Sequence, residues 1–345
     1  MRPFASLTPH GQLRRLRRLA RTALARWDLG SEPRLRLLNH GENTVYGLGF
    51  GDAPELHVLR VHRRGYQSQA DLRGEATFLA HLASEGLGVP RPEPTRDGAL
   101  FAHVATPGVP DGRNVTILFK IPGQRRWYEH WTPTRCRRVG RLIARLHLAA
   151  ARFVPPAGFA RRTLDAEGLV GPTASWGDPL AEPTLTDAER DLFAWGRDRV
   201  RAELGRLPRT PDVWGPTHTD LHCGNVLFAA GEARAIDFDD LAWSWYASDF
   251  AVNWIPLRWT DPALGDAIFA GYEEVRPLPD GVRELMPVVH CARRLTAVAW
   301  ARSRADVPRL LEALPHRITQ ARRTLEAWKR GDDPTMVMPE GWNDD

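Results

Sequence analysis

Between Pro216 and Asp240 the chain crowds oxygen donors into one short span: Asp220, Asn225, Asp237, Asp239 and Asp240. Two apolar runs, Val226-Leu227-Phe228 and Ala233 to Ile236, flank Gly231 and read as a β-hairpin. A register symmetric about Gly231 sets Asn225 opposite Asp237 at the open end, with Cβ atoms roughly 4.5 to 5.5 Å apart. Gly224 can bend the loop that brings Asp220 alongside. Two carboxylates about 4 Å apart repel by about 4 kcal/mol at an effective dielectric near 20, so this density of acids calls for a cation. Magnesium suits it, because that ion takes one or two carboxylates and leaves other positions to water and phosphate oxygens. A carboxylate held apart from the ion, here Asp220, can accept a proton from an attacking hydroxyl. A zinc reading of His218, His222 and Cys223 is weaker, since Thr219 stands where a zinc hydrolase places a Glu beside its first His.

The run His218-Thr219-Asp220 to Asn225, followed by Ile236-Asp237-Phe238-Asp239, resembles the H-G-D-x-x-x-x-N and I-D-F/W-x motifs of the aminoglycoside phosphotransferase and choline kinase family. The resemblance implies an α+β, bilobal, protein-kinase-like fold, with a small antiparallel sheet and one main helix in the N-lobe and a larger, mainly helical C-lobe. It implies ATP and Mg as cofactors, Asp220 as catalytic base, and Asn225 and Asp237 as metal ligands. Thr219 replaces the usual Gly, a tolerable change at a position flanking the functional groups.

The elements that must position these residues follow in order. Leu13, Leu16, Ala20, Ala23, Leu24 and Trp27 recur at helical spacing, so residues 1–30 are expected to form an amphipathic helix packed on the first domain. Arg34 to Leu38, Thr44 to Phe50 and Leu56 to Val61 read as strands of a nucleotide-binding lobe spanning residues 31–120. By resemblance, the loop between the first two covers phosphate, with Asn43 and Thr44 under the nucleotide. Arg60 stands where the family carries a phosphate-binding lysine, and Glu75, on a helix expected over Asp71 to Ser84, would pair with it. A guanidinium can still hold phosphate through two hydrogen bonds, though it is not equivalent to lysine. Further strands are expected around Arg91 to Thr95, Ala99 to Ala105 and Asn114 to Lys120, then a hinge at residues 121–124, where by resemblance backbone groups from Phe119 to Ile121 would receive adenine. The remainder, 125–345, reads as the catalytic and substrate-binding lobe. Its helices are expected over Thr134 to Ala150, from the capping box at Thr186 to about Leu207, and over Asp261 to Glu274, Val282 to Arg304 and Val307 to Arg330. A helix beginning near Asp249 would be capped by that residue, the simpler role beside the alternative that Asp249 orients the catalytic loop; His147 reads as a buried structural histidine, and Asp344-Asp345 as a frayed end.

The chain has 345 residues and a net charge of +5 carried almost wholly by arginine, since Lys120 and Lys329 are its only lysines. Acidic residues are interspersed throughout, which argues against nucleic-acid binding. No apolar run approaches the roughly 20 residues of a membrane span. Three widely spaced cysteines fit a reducing cytoplasm. The expected reaction moves the ATP γ-phosphoryl group to a hydroxyl of a small molecule; Asp239, Asp240 and the aromatics near Trp245 would suit a cationic amino-alcohol. A Ser/Thr protein acceptor and a nucleotide-binding scaffold without activity are the alternatives, and no motif speaks to oligomeric state.

Overall fold

Thr8 starts the first helix: its hydroxyl accepts the Gly11 N–H at 3.2 Å, and Pro9 occupies the first turn, where no N–H is needed. In this computed structural model, residues 2–305 and 307–339 are described. The chain divides into two compact units, one running to Gly123 and including Val154–Arg161, the other made of Gln124–Phe153 and the chain from Arg162 onward. The acidic pair Asp344-Asp345 lies outside the described residues.

In the first unit, α1 (Pro9–Leu24) is followed by β1 (Arg34–His40), β2 (Thr44–Gly49), β3 (His57–Val61), α2 (Gln69–Ser84), β4 (Ala102–Thr106) and β5 (Val109–Phe119). The strands form one antiparallel sheet in the order β1-β2-β3-β5-β4. Leu16, Leu19, Ala20 and Ala23 of α1 and Trp27 just beyond it enter one core with Tyr46, Leu48, Leu59, Val115 and Ile117 of the sheet. Ser68 and Asp71 close a capping box that starts α2. Arg91 to Thr95 is not a strand; Pro92 makes only an isolated bridge to Leu118, because Pro90 and Pro92 have no N–H to give a ladder. The last strand is longer than expected and begins at Val109, since the hairpin turns at Gly108, whose φ of 85° suits glycine.

The second unit contains α3 (Pro133–Arg152), α4 (Ala166–Val170), α5 (Asp187–Leu204), β6 (Trp214–Thr217), β7 (Val226–Ala229), β8 (Glu232–Ala235), β9 (Ala242–Trp245), α6 (Ala247–Thr260), α7 (Pro262–Glu273), α8 (Met286–Arg302), α9 (Pro308–Glu312) and α10 (Leu314–Arg330). β6 pairs with β9 and β7 with β8, each antiparallel. α3 and α7 approach closely through glycine: a Cβ on Gly140 would collide with the Ile268 carbonyl oxygen. The single helix expected from Val307 to Arg330 is two, because Pro315 in the first turn of α10 cannot continue a helix from α9. Among the described residues no helix is long and apolar enough to cross a membrane.

Inside the first unit Arg60 and Glu75 form a buried ion pair, Nη1 to Oε1 3.1 Å, with side chains 7% and 6% exposed. Removing one partner of a buried ion pair is costly. Glu75→Ala is therefore expected to lower the unfolding free energy by about 3 kcal/mol, measured by urea denaturation; a loss below about 1 kcal/mol, the range of an exposed pair, would contradict the pairing.

Candidate active site

The loop after β6 is held from beneath by α6. Asp249, fully buried, accepts the Thr219 N–H at 2.8 Å through Oδ1 and the His218 N–H at 3.4 Å through Oδ2. One turn along the same helix, buried Asn253 donates its amide to the Leu221 carbonyl. The expectation that Asp249 caps its helix is incorrect: Tyr246 is the N-cap and makes no side-chain cap bond. The helix instead spends this acid on two loop amides. His147 packs behind it, with Nε2 3.3 Å from Asp249 Oδ2, Nδ1 3.1 Å from the Tyr272 hydroxyl and its ring stacked on Tyr246 at 4.1 Å. Burial lowers the His147 pKa while Asp249 raises it in part. Asn253 was not singled out from the sequence; its signal was the i, i+4 spacing from Asp249.

Thr219 explains why glycine suits this position. Its φ is 65°, the left-handed region, which a β-branched residue occupies at a cost on the order of 1–3 kcal/mol. Three hydrogen bonds hold it there: its N–H to Asp249, its hydroxyl to the Asp240 carbonyl at 2.8 Å, and its own carbonyl accepting from Arg293 Nη1 at 3.0 Å. His218 joins the two motifs, with Nε2 3.0 Å from the Ile236 carbonyl and Nδ1 accepting the Asp220 N–H at 3.3 Å. That pattern is satisfied by the neutral ring protonated on Nε2.

The hairpin register differs from expectation by one residue. Val226 faces Ala235 and Ala229 faces Glu232 across a two-residue turn at Ala230-Gly231, both at positive φ. Asn225 therefore faces Ile236, whose N–H donates to the Asn225 carbonyl at 3.0 Å, and not Asp237. A one-residue shift would send side chains to opposite faces of the pleat. The chain leaves the pleat at Asp237, with φ 65° and ψ 68°, so ladder alternation does not govern where this side chain points.

The donor set fits a magnesium ion. Asn225 Nδ2 donates to the Asp220 carbonyl at 2.9 Å, which orients the amide and leaves Oδ1 as the atom that could bind a metal. Among the described residues no three His, Cys, Asp or Glu side chains form a cage, and magnesium characteristically takes few protein ligands and fills its shell with phosphate oxygens and water. Asp220 feels Asp240, Asp237 and Asp249, with Arg293 as the opposing charge.

Asp220 lies on the wall of a cavity of about 360 Å³ within the second unit, together with His222, Asp240, Trp245 and Arg293. Its Oδ1 is 3.9 Å from Arg293 Nη2 and its Oδ2 is 3.6 Å from His222 Nε2. Desolvation, followed by repulsion from Asp240, pushes its pKa up to about 7. Burial above all drives His222 down to about 4, so this imidazole is neutral at pH 7 and its contact with Asp220 is not an ion pair. Arg293, which sequence reading passed over, contacts both Thr219 and Asp220 from α8.

The residues expected to hold nucleotide lie in the first unit. Asn43 Oδ1 accepts the Arg63 N–H at 3.0 Å, and Thr44 Oγ1 is 2.9 Å from His40 Nδ1, so both side chains shape the β1–β2 loop. Arg60 faces Val45 and Thr116 on its neighbouring strands. The Phe119 N–H donates to the Arg91 carbonyl and the Lys120 N–H to the Leu56 carbonyl, at 2.9 and 2.8 Å. Ile121 is the next residue along, and its N–H has no such partner among the described residues.

Two outcomes follow for the loop. Asp249→Ala removes the acceptor of both loop amides without touching the cavity wall, so kcat is expected to fall about 100-fold with KM nearly unchanged in steady-state assays. A large rise in KM at constant kcat would contradict a positioning role. A carboxyl raised in the folded state favours folding at pH below its unfolded value, and that contribution is lost as pH rises through about 7. Metal-free Asp220→Asn should therefore melt higher than the parent at pH 8, by about one to two degrees, with a smaller difference at pH 5. Equal differences at both pH values would contradict the raised pKa.

The model of the phosphotransferase enzyme family matches residues 34–285. Amicoumacin kinase of Bacillus subtilis (strain 168) is 27% identical over 242 residues, covering 69% of this chain and 67% of that protein. A solved microcompartment-associated aminopropanol kinase shares 28% identity and superposes with a TM-score of 0.78, over 93% of this chain and 99% of its own. An amicoumacin kinase solved with AMP-PNP, Ca2+ and Ami has the same fold, at 17% identity and a TM-score of 0.72 over 96% of each chain. With a match across most of its length, the chain belongs to the phosphotransferase enzyme family of protein-kinase-like fold, and is an ATP-dependent enzyme assisted by a divalent metal.

Proposed function

We propose that this enzyme transfers the γ-phosphoryl group of ATP to a hydroxyl of a small molecule bound in the cavity beside Asp220. The observation that carries the reading is the placement of that acid: on the wall of a cavity of about 360 Å³, at the end of a loop pinned by Asp249 and Asn253. Such a volume suits a small molecule. Asp220 accepts the hydroxyl proton as the acceptor oxygen bonds to γ-phosphorus and the bond to the β-phosphate oxygen breaks, releasing ADP. A carboxylate with a pKa of about 7 is matched to that task near neutrality. Asn225 and Asp237 hold magnesium, which when bound neutralises charge on the nucleotide phosphates.

In the first unit Arg60, fixed by Glu75, contacts nucleotide phosphate, Asn43 and Thr44 shape the loop over it, and Phe119 to Ile121 meets adenine, with the Ile121 N–H as donor. Three buried free thiols, Cys136, Cys223 and Cys291, support a cytoplasmic setting. The expectation of a cation held by aromatic faces has less support, because Arg209 already lies over Trp245 and Arg162 over Trp176, at 5.9 and 5.3 Å.

With MgATP and a panel of alcohols, the parent is expected to form phosphate esters and Asp220→Ala to lose at least about 1,000-fold in kcat. Asp237→Ala should shift the magnesium dependence of the rate to higher concentration, and a chelator should abolish turnover in the parent. Ester formation that survives Asp220→Ala would remove the base from this account.

A further inference from the structure

The cavity beside Asp220 contains a charge that phosphoryl transfer leaves unused. One stripe of α8 lines it, including Val289, Arg293, Thr296, Ala297 and Trp300, with the spacing of a single helix face. Arg293 marks the level of the reacting acid, through its 3.9 Å approach to Asp220. Trp300 lies two helical turns farther along α8, on the order of 10 Å of axial rise. Arg317 of α10 lines the same cavity, with its guanidinium 5.1 Å from the centre of the Trp300 ring.

Among the described residues the Arg317 side chain has neither a carboxylate partner nor a hydrogen bond, and its Nε is shut away from solvent. Burial lowers its pKa, and no acid offsets that shift. Its neighbour Arg294 also has an unpartnered buried Nε, and burial together with Arg293 and Arg317 lowers it to about 10. Partly buried cations close enough to repel, with no acid between them, are costly. The feature becomes favourable when an anion enters, and a guanidinium binds a carboxylate through two parallel hydrogen bonds.

We propose that the phosphoryl acceptor is an elongated alcohol bearing a carboxylate, with its hydroxyl at Asp220, its carboxylate at Arg317 beside Trp300 about 10 Å away, and an apolar chain along α8 between them. The assignment rests on the phosphotransferase reading for the hydroxyl end and on Arg317 alone for the acid end. A cationic acceptor of that length would set like charge against Arg317. Short hydroxy amino acids and amino-alcohols would not span the distance.

The test supplies the full chain with MgATP and unbranched ω-hydroxy acids of roughly four to twelve carbons, their methyl esters and amino-alcohols of matching length. Binding of 8-hydroxyoctanoate to the parent and to Arg317→Gln is measured by titration calorimetry in parallel. Catalytic efficiency should peak near eight carbons, each acid should exceed its ester by at least about ten-fold, and Arg317→Gln should bring that ratio toward one and weaken 8-hydroxyoctanoate binding about ten-fold. Equal use of acid and ester, preference for the amino-alcohols, or unaltered binding in Arg317→Gln overturns the anion site. Binding that depends on Arg317 without turnover of any alcohol would support the anion site and overturn the phosphotransferase reading instead.

Discussion

A single buried carboxylate, that of Asp249, sets the geometry of the reacting loop. An ionised acid in the interior is stable only when donors surround it, and here the donors are the amides of His218 and Thr219 with His147 behind. Those contacts hold Thr219 in a backbone conformation that its branched side chain disfavours. Asp220 then follows immediately, and its own N–H is fastened to His218. Asp220, the proposed base, thus inherits its position from a neighbour that takes no part in the proposed chemistry.

His218 extends the same constraint to the second motif. Its ring spans from the Asp220 amide to the Ile236 carbonyl, so the segment before Asp237 moves with the loop before Asp220. Both ring nitrogens are committed to that bridge, which removes His218 from the zinc set considered from the sequence. Desolvation, with repulsion from Asp240 and Asp237 added, raises Asp220 toward neutrality, and the acids together supply the negative field that a divalent cation answers.

Much of this was legible in the residues, and the failures share a cause. Local patterns exposed α1, the first three strands, the capping box of α5, and the spacing of Asp220, Asn225 and Asp237. The hairpin register was misread by one residue because Ala230 also adopts positive φ, making a two-residue turn where Gly231 alone had marked the bend. For Asp249 capping was favoured over orienting the loop because capping is the local use of an acid near a helix start, while its real partners lie 30 residues earlier in the chain. Arg293 and Arg317 carry no local signal of their role: each acts through a contact that exists only after α8 and α10 have packed. Interactions close in sequence could be read in advance, and those made by tertiary packing could not.

The account depends most on the division of labour between an acid that takes a proton and an amide and acid that hold metal. Crystals grown with AMP-PNP and Mn2+, with the ion located by anomalous scattering, test it directly. The expected result is manganese bound by Asn225 Oδ1 and the Asp237 carboxylate, with Asp220 outside the coordination shell and facing the cavity. Manganese bound to the Asp220 carboxylate, or seated away from both Asn225 and Asp237, would contradict it.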